Sequence, residues 1–346
     1  MKKLNRVLSL SAAAALALSL TACSGGTSGT ADTPAADNTS ASTGGSGDTY
    51  TVAVIKQMDH ASLDEIADAI AARLDEIAAE NGITIQYEVT SGQGDQTVLR
   101  QLADQAIADG VDAIIPIATT AAQVAAVSAE ESQTPVVFAA ISYPETADLT
   151  GIDYVTGTSD ALDTNLILDM MLAQNPELQS VGLLYSLSEP NSEVPIADAK
   201  AYLDEKGIAY TEATANTNDE VIAAASSLIA DGVDAVFTPT DNIIMAAELA
   251  IYEDFINAGI PHYTGADSFV RNGAFATCGV NYTDLGAQTA DLAYQAMTEG
   301  MDSLEDYYQV AGGLITVNSE TAEALGIDYS VFDSMGEVAA VTTTEE

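Results

Sequence analysis

The 346-residue chain has few basic residues, no tryptophan, two cysteines and two histidines. Nine Lys and Arg stand against 52 Asp and Glu, which gives a formal net charge of −43 at pH 7. Because such an acidic surface repels phosphate backbones, we predict that nucleic acid is not a partner. The two imidazoles leave little scope for acid–base chemistry, and no metal-ligand spacing, phosphate-binding loop or Gly-x-Ser-x-Gly motif occurs. We therefore predict that the protein is not an enzyme and has no cofactor or metal.

The two cysteines have different surroundings. Cys278 lies in a short apolar run that predicts a buried strand, and we interpret it as a small core residue, not a nucleophile. Cys23 follows Leu20-Thr21-Ala22, a basic segment at residues 2–6 and an apolar segment at residues 7–20 that is short for a membrane span. With Cys23 lipidated, no structural disulfide is expected.

The segment around Cys23 resembles the lipobox of bacterial lipoprotein signal peptides. The resemblance implies cleavage of residues 1–22 and lipidation of Cys23, and the alternative is an ordinary signal peptide with an incidental cysteine. Residues 24–49 are rich in Ser, Thr, Gly, Asp and Ala without an apolar period, so we expect residues 23–49 to be the lipidated cysteine and a flexible tether. The predicted location is the outer face of the bacterial cell membrane.

One seven-residue stretch occurs twice. Residues 108–114 read Ala-Asp-Gly-Val-Asp-Ala-Ile, and residues 230–236, 122 positions later, differ only in ending with Val. In both copies a helical pattern ends at a glycine (Gly110, Gly232) and an apolar run follows, which is typical of a βα unit. Long-range self-similarity of this kind predicts two similar α/β lobes.

The alternation of patterns predicts α/β architecture with parallel strands. We expect two doubly wound parallel-sheet lobes joined by a hinge of three linking strands. The predicted boundaries are 50–157 plus about 283–310 for lobe I, 158–282 plus about 311–333 for lobe II, and 334–346 for an acidic tail.

Several motifs resemble the tryptophan/tyrosine-binding-protein family of ABC-transporter substrate-binding proteins, which have the type I periplasmic-binding fold. The similar segments are residues 155–160, 188–192, 239–242 and 279–286, with a first-strand motif at residues 55–64 and a partial match at residues 91–95. The family usually has Pro where this chain has Ala61. The resemblance covers about residues 50–330 and implies a lipid-anchored, monomeric receptor for a small zwitterion, an amino acid, with an aromatic or large apolar one favoured. It also implies an ABC permease and its ATPase as partners.

In open α/β sheets, ligands bind beyond the carboxyl ends of the strands, where helix N-termini offer unpaired N–H groups to an anion. We predict that a ligand carboxylate binds at Thr119-Thr120 in lobe I and at Asn191-Ser192 in lobe II. The alternative role of the hydroxyl groups there is to cap a helix, and both roles can hold together. Candidate acceptors for an ammonium group are Glu189, Asp241 and Asp267.

The other candidates lie near these turns. Gln57 and His60 follow the first strand, and His60 has a solvated or core position as its alternative. Tyr143, Phe269 and Tyr282 can pack an apolar side chain, with ordinary core packing as the alternative. The predicted ligand-binding residues are Gln57, His60, Thr119, Thr120, Tyr143, Glu189, Asn191, Ser192, Thr240, Asp241, Asn242 and Asp267.

Three other functions remain compatible with the sequence. A fold of this type can serve as the sensor domain of a signalling partner, and it can bind a sugar or a nucleoside. The enzyme alternative is an exported hydrolase. The absence of tryptophan and the scarcity of arginine count against a sugar site.

Overall fold

The computed structural model describes residues 48–344. The predicted signal peptide, Cys23 and nearly all of the predicted tether lie outside these residues. Within residues 48–344, no helix combines the length and the apolar character needed to cross a membrane.

The first lobe is built on a six-stranded parallel sheet. Its strands are β1 (Thr49–Lys56), β2 (Thr84–Ser91), β3 (Ala113–Ile117), β4 (Val136–Phe138), β5 (Val155–Ser159) and β11 (Tyr308–Gln309). They lie in the order β11-β5-β4-β3-β1-β2. The helices of this lobe are α1 (Ala61–Asn81), α2 (Gln96–Asp109), α3 (Thr119–Ala129) and α9 (Tyr282–Glu299). All of β3 is buried, as a strand covered by helices on both faces requires.

The second lobe is built on a seven-stranded sheet. Its strands are β6 (Ser180–Tyr185), β7 (Ala209–Thr214), β8 (Ala235–Thr238), β9 (His262–Thr264), β10 (Ala276–Gly279), β12 (Leu314–Asn318) and β13 (Val338–Val341). The order is β13-β12-β10-β9-β8-β6-β7, and β12 runs antiparallel to β10 while the other pairs are parallel. The helices are α4 (Thr164–Gln174), α5 (Glu193–Lys206), α6 (Asn218–Asp231), α7 (Asn242–Ala258), α8 (Asp267–Arg271) and α10 (Ser319–Leu325).

The internal repeat occupies equivalent places in the two lobes. Gly110 ends α2 and Gly232 ends α6, both in the left-handed conformation, with φ of 74° and 68°. This conformation costs other residues a steric penalty, which explains the glycine in each copy. The strands that follow, β3 and β8, are both internal to their sheets.

The chain crosses between the lobes three times, after β5, after β10 and after β11. The predicted fold class, two doubly wound α/β lobes with a multi-strand hinge, is therefore confirmed. The carboxyl ends of β1, β3 and β4 in the first lobe and of β6, β8 and β9 in the second lead into turns at the cleft between the lobes.

The carboxyl-terminal region differs from the sequence prediction. We expected an acidic tail from residue 334, but Val338–Val341 forms β13 and pairs with β12 in parallel. The sequence patterns also do not predict the short elements α8, β11 and α10. The two residues of β11 are too few to show alternation, and helices of five and seven residues are too short to show a helical period.

The packing of α1 on α9 depends on Gly286. A Cβ atom at this position would lie 2.7 Å from the Cβ of Ala69 and 2.8 Å from the carbonyl oxygen of Ile66. The two helices can approach this closely only because Gly286 has no side chain.

We expect Gly286→Val to lower the free energy of unfolding by about 1–3 kcal/mol, because the added atoms overlap the backbone of α1. Urea denaturation followed by circular dichroism measures the change. Ala287→Val is the matched control, since Ala287 is the adjacent, half-buried position on the same helix. Equal losses in both variants would show that helix propensity, not the α1–α9 contact, decides the result.

Candidate functional site

A small cavity lies between the lobes at the carboxyl ends of their strands. Its lining residues are His60, Ser62, Leu63, Ile66, Ala118, Thr119, Ala140, Ser142, Asp160, Asn191, Thr240, Asp241, Asn242, Met245, Ala266, Phe269 and Tyr282. Thus Thr119 of the first lobe and Asn191 of the second face one shared cavity. Its volume in this conformation is about 20 Å³, close to the space of one water molecule. A ligand of amino-acid size needs the lobes to separate before it can enter.

The lobes are in direct contact through buried side chains. Gln57 Nε2 donates to Glu189 Oε1 at 2.7 Å, and His60 Nε2 lies 3.0 Å from Asn242 Oδ1. Within the second lobe, Asn242 Nδ2 donates to Glu189 Oε2 at 2.6 Å. The backbone N–H of Thr120 donates to Gln57 Oε1 at 3.1 Å and so fixes the orientation of the Gln57 amide. These contacts define a closed form of the molecule.

Two hydroxyl pairs also join the lobes. The hydroxyl groups of Ser62 and Ser268 form a hydrogen bond, and Ser142 Oγ lies 3.3 Å from Thr240 Oγ1. One apolar core cluster is likewise continuous across the cleft, since it contains Ile66 of the first lobe together with residues of α7.

Glu189 is a buried carboxylate held by amides alone. Each of its oxygens accepts one side-chain N–H group, from Gln57 and from Asn242. Burial raises the pKa of Glu189 to about 8, and the nearby Asp241 carboxylate adds to this shift. Closing the cleft therefore removes this carboxyl group from water without giving it a cation, which favours its protonated form.

His60 is the residue before α1 and is buried at the cleft. Burial lowers the pKa of His60 to about 4, so the ring is neutral at pH 7. Its Nδ1 atom and the Oδ1 atom of Asn191 have no hydrogen-bond partner among the described residues. Both residues line the cavity, and buried polar atoms of this kind usually find a partner.

Asp241 has its hydrogen-bonding capacity filled within the second lobe. Its Oδ1 caps α7 by accepting the N–H groups of Ile243 and Ile244 at 3.1 Å. Its Oδ2 accepts Ser186 N and Ser192 Oγ, both at 2.7 Å. A carboxylate offers about four acceptor positions, so Asp241 has little left for a ligand.

Asp160 was not among the predicted ligand-binding residues, yet it lines the cavity. It follows β5 at the first crossing between the lobes, and it is buried. Its Oδ1 accepts Ser142 Oγ at 2.8 Å and its Oδ2 accepts Tyr282 OH at 3.1 Å. Burial raises the pKa of Asp160. Among the described residues no basic side chain forms an ion pair with it.

Two helix N-termini of the first lobe reach the cavity without a side-chain cap. The residue before α1, His60, makes no capping hydrogen bond, and the residue before α3 is Ala118, which has no polar side chain. The first turns of these helices place Ser62 and Thr119 in the lining. Gln57 Oε1 accepts the Thr120 N–H of α3. The remaining N–H groups of the two first turns and the partial positive charge of a helix N-terminus favour an anion here.

The backbone is strained where two strands of the first lobe enter the cleft. Ala118, after β3, has φ of 76° and ψ of 160°, and Ala140, after β4, has φ of 57°. These conformations are unfavourable for residues other than glycine, and such strain tends to collect at ligand sites. Both alanines line the cavity.

The structure brings together most of the predicted residues, but not all of them face the cavity. His60, Thr119, Asn191, Thr240, Asp241 and Asn242 line it, as do Phe269 and Tyr282. Gln57, Thr120, Glu189 and Ser192 lie behind the lining, in the hydrogen-bond network described above.

Two predicted residues lie outside both groups. The Tyr143 hydroxyl donates to the carbonyl oxygen of Leu162 at 3.4 Å near the first crossing. Asp267 pairs with Arg271 on α8 and does not line the cavity.

The polar lining residues missed by the sequence reading are Asp160, Ser62 and Ser142. Asp160 ends the family-like segment at residues 155–160, and Ser62 lies in the family-like motif at residues 55–64, so these segments are the signals that would have found them. Ser142 has no such signal, because isolated serines occur throughout the chain. Among residues 48–344, no group of three or more His, Cys, Asp or Glu side chains is arranged to hold a metal ion.

The sequence of this chain matches a known protein family. A family model described as ABC transporter substrate binding protein matches residues 51–337. A tyrosine-binding protein of Clostridioides difficile (strain R20291) is 27% identical over 251 residues, which cover 71% of this chain and 72% of that protein.

Two solved structures show related conformations. An ABC domain in complex with L-Trp from Streptococcus pneumonia is 27% identical, with a TM-score of 0.76 over 84% of this chain and 100% of that chain. A ligand-free, open substrate-binding protein with adhesive properties from Clostridium difficile is 25% identical, with a TM-score of 0.64 over 85% of this chain and 100% of that chain. At nearly equal identity the complex superposes better than the open form, in agreement with the contacts between the lobes.

We expect Glu189 to make the stability of the protein depend on pH. Its pKa is raised from 4.5 to about 8, so its contribution to stability is fully present below pH 4.5 and is lost as the pH rises through 8. Relative to Glu189→Gln, the wild type should lose roughly 2–4 kcal/mol of unfolding free energy across this range. Urea denaturation at several pH values measures the difference.

Glu193→Gln is the control for this experiment, because Glu193 is an exposed carboxyl group four residues along the chain. Its pH profile should follow that of the wild type. If the Glu189→Gln profile also ran parallel to the wild type, Glu189 would not be the titrating group.

Proposed function

Because this chain belongs to the family of ABC transporter substrate-binding proteins, we propose that it captures an amino acid with an aromatic or large apolar side chain between its lobes. The observation that carries the proposal is the chemistry of the cavity, which offers a carboxyl group without a cationic partner, two helix N-termini whose preceding residues give no side-chain cap, and an apolar wall. The family binds substrates without converting them, so the prediction that the protein is not an enzyme is confirmed.

The ammonium group of the ligand is assigned to Asp160. Of the acidic candidates, Asp241 is saturated by four hydrogen bonds, and Glu189 and Asp267 do not line the cavity. Asp160 lines it, accepts only two hydrogen bonds from the described residues, and has no cationic partner. A charge-assisted hydrogen bond to a buried carboxylate contributes about 1.5–3 kcal/mol.

The carboxylate group of the ligand is assigned to the first lobe. The N-termini of α1 and α3 supply backbone N–H groups, and Ser62 and Thr119 add hydroxyl donors. Ser192, which we predicted to bind the carboxylate, is a weaker candidate than Thr119, because its hydroxyl already donates to Asp241. The arrangement needs no arginine, which suits a chain with so few bases.

The side chain of the ligand is assigned to the apolar wall. Leu63, Ile66, Met245, Phe269 and Tyr282 line the cavity and can contact a large apolar or aromatic group. The tyrosine-binding relative and the structure with L-Trp support this ligand class at 27% identity.

We propose further that the protein serves an importer and is lipid-anchored. Substrate-binding proteins of ABC transporters are extracytoplasmic, and lobe closure creates the surface that a permease reads. Lipidation of Cys23 would hold a monomeric receptor at the outer face of the membrane, in agreement with the lipobox-like residues 20–23. Mass spectrometry of the membrane-associated protein tests this, since Cys23→Ser should lack the lipid.

We expect L-tryptophan or L-tyrosine to bind in isothermal titration calorimetry, and arabinose not to bind. Asp160→Asn should weaken amino-acid binding by about 10- to 150-fold, because it removes the charge opposite the ammonium group. Indole-3-propionate lacks the ammonium group, so the wild type should bind it much more weakly than tryptophan, and Asp160→Asn should lose most of this preference.

Asp284→Asn is the matched control, because Asp284 is an exposed carboxylate at the start of α9 outside the cavity. Binding by this variant should equal that of the wild type. A clear sugar signal with no amino-acid signal would reject the proposed ligand, and an unchanged preference in Asp160→Asn would reject the role of Asp160.

A disulfide across the cleft should block binding. The hydroxyl groups of Ser62 and Ser268 are in contact between the lobes, so Ser62→Cys with Ser268→Cys can form a bond in the closed form. Oxidation without ligand should abolish tryptophan binding, and dithiothreitol should restore it, because entry requires opening. Each single cysteine variant is the control. Full binding by the oxidised, cross-linked protein would show that ligand enters without lobe separation.

A further inference from the structure

With one exception, the basic side chains of the described residues contact partners in their own lobe. Lys56, Arg73 and Arg100 pair with acids of the first lobe. Lys200 pairs with an acid of the second lobe, and Lys206 lies over an aromatic ring of the same lobe. None of these five bases forms an ion pair between the lobes among the residues that the structure describes.

Arg271 is the exception. It ends α8 of the second lobe, and its Nη2 atom pairs with Glu65 on α1 of the first lobe. Its Nη1 atom pairs with Asp267 in its own lobe. The contact lies at the edge of the cleft, outside the set of residues that line the cavity.

Each member of this ion pair is also held by a partner in its own lobe. Thr283 of the first lobe donates its hydroxyl hydrogen to Glu65 Oε1 at 3.0 Å. The ion pair with Asp267 holds the guanidinium group from the other side. The side chains of Arg271 and Glu65 are 28% and 23% exposed, so the pair is shielded from solvent more than a fully exposed one. Prior orientation reduces the side-chain entropy lost when the pair forms.

We propose that Arg271 and Glu65 form a latch that holds the two lobes closed. The inference rests on the proposed function, because it concerns the closing of the lobes around a ligand. The net charge of −43 makes lobe closure unfavourable through repulsion between acidic surfaces. The latch opposes this repulsion with the one cation that the described residues place between the lobes. Release of a ligand requires the latch to break.

The rate of disulfide formation across the cleft measures the closed population without any ligand. Ser62→Cys with Ser268→Cys is one reporter, and Ser142→Cys with Thr240→Cys is a second reporter away from α8. In both backgrounds of the full chain, we expect Arg271→Gln and Glu65→Gln to slow cross-linking by about two- to fivefold, as the loss of a partly exposed ion pair predicts. Mass spectrometry of the oxidised protein identifies the bond.

Three comparisons make the test specific. Arg73→Gln is the matched control, because Arg73 pairs with three acids that all belong to the first lobe. The double variant, Glu65→Gln with Arg271→Gln, should be no slower than either single variant, since both remove one interaction. High salt should reduce the difference between the wild type and Arg271→Gln, because salt screens the pair.

The results separate the latch from the proposed function. An unchanged rate of cross-linking in Arg271→Gln at both reporter pairs would overturn the latch. A slower rate at the 62/268 pair alone would also overturn it, because it would show only a local change in α8. Tryptophan binding, measured on the wild type and on Arg271→Gln without the cysteine substitutions, decides the ligand independently. Where tryptophan binds, the latch predicts that Arg271→Gln releases it about two- to fivefold faster than the wild type does.

Discussion

The closed cleft buries carboxylates in a chain that has almost no cations to pair with them. Glu189, Asp160 and Asp241 all lie between or behind the lobes, and burial raises the pKa of each. The protein holds them instead with amides, hydroxyl groups and the first N–H groups of a helix. Such partners satisfy the oxygen atoms but bring no positive charge, so burial favours the protonated form of each group. The electrostatics of the site, and its need for a cation, follow from this constraint.

The two lobes repeat one architecture but supply opposite chemistry to the cavity. In the first lobe, the residues before α1 and α3 provide no side-chain cap, and the side chain that accepts the Thr120 N–H, Gln57, is uncharged, so these N-termini keep a partial positive character. In the second lobe, Asp241 caps α7 with a carboxyl group and opposes that character. The helices that begin after β3 and β8 therefore differ in the residue that precedes them, Ala118 against Asp241, and the two sides of the cleft differ in charge.

The sequence predicts the fold well because the elements are long and strongly periodic. Strands such as β3 and the glycines that end α2 and α6 can be read directly, and the internal repeat indicates two lobes. The site is only partly predictable. The sequence places residues at strand ends near the cleft, but it does not show whether their side chains face the cavity or lie behind its lining. Ser192 and Asp241 bond to each other, which no spacing reveals. Asp160 lies on a crossing segment, whose place beside α9 depends on tertiary structure alone.

Ligand capture and lobe closure can be coupled, because the carboxyl groups buried at the cleft lack a cationic partner. With the lobes apart, the carboxylates at the cleft are solvated, and closing over them without a cation costs free energy because water is removed. The ammonium group of an amino acid beside Asp160 would supply the cation inside the cavity. The latch at Arg271 supplies one at its edge. A neutral sugar fills the same space without adding charge, so it leaves the buried Asp160 carboxylate uncompensated. The proposed selectivity for a zwitterion would then follow from the free energy of closing, since a ligand shifts the equilibrium only by its preference for the closed state.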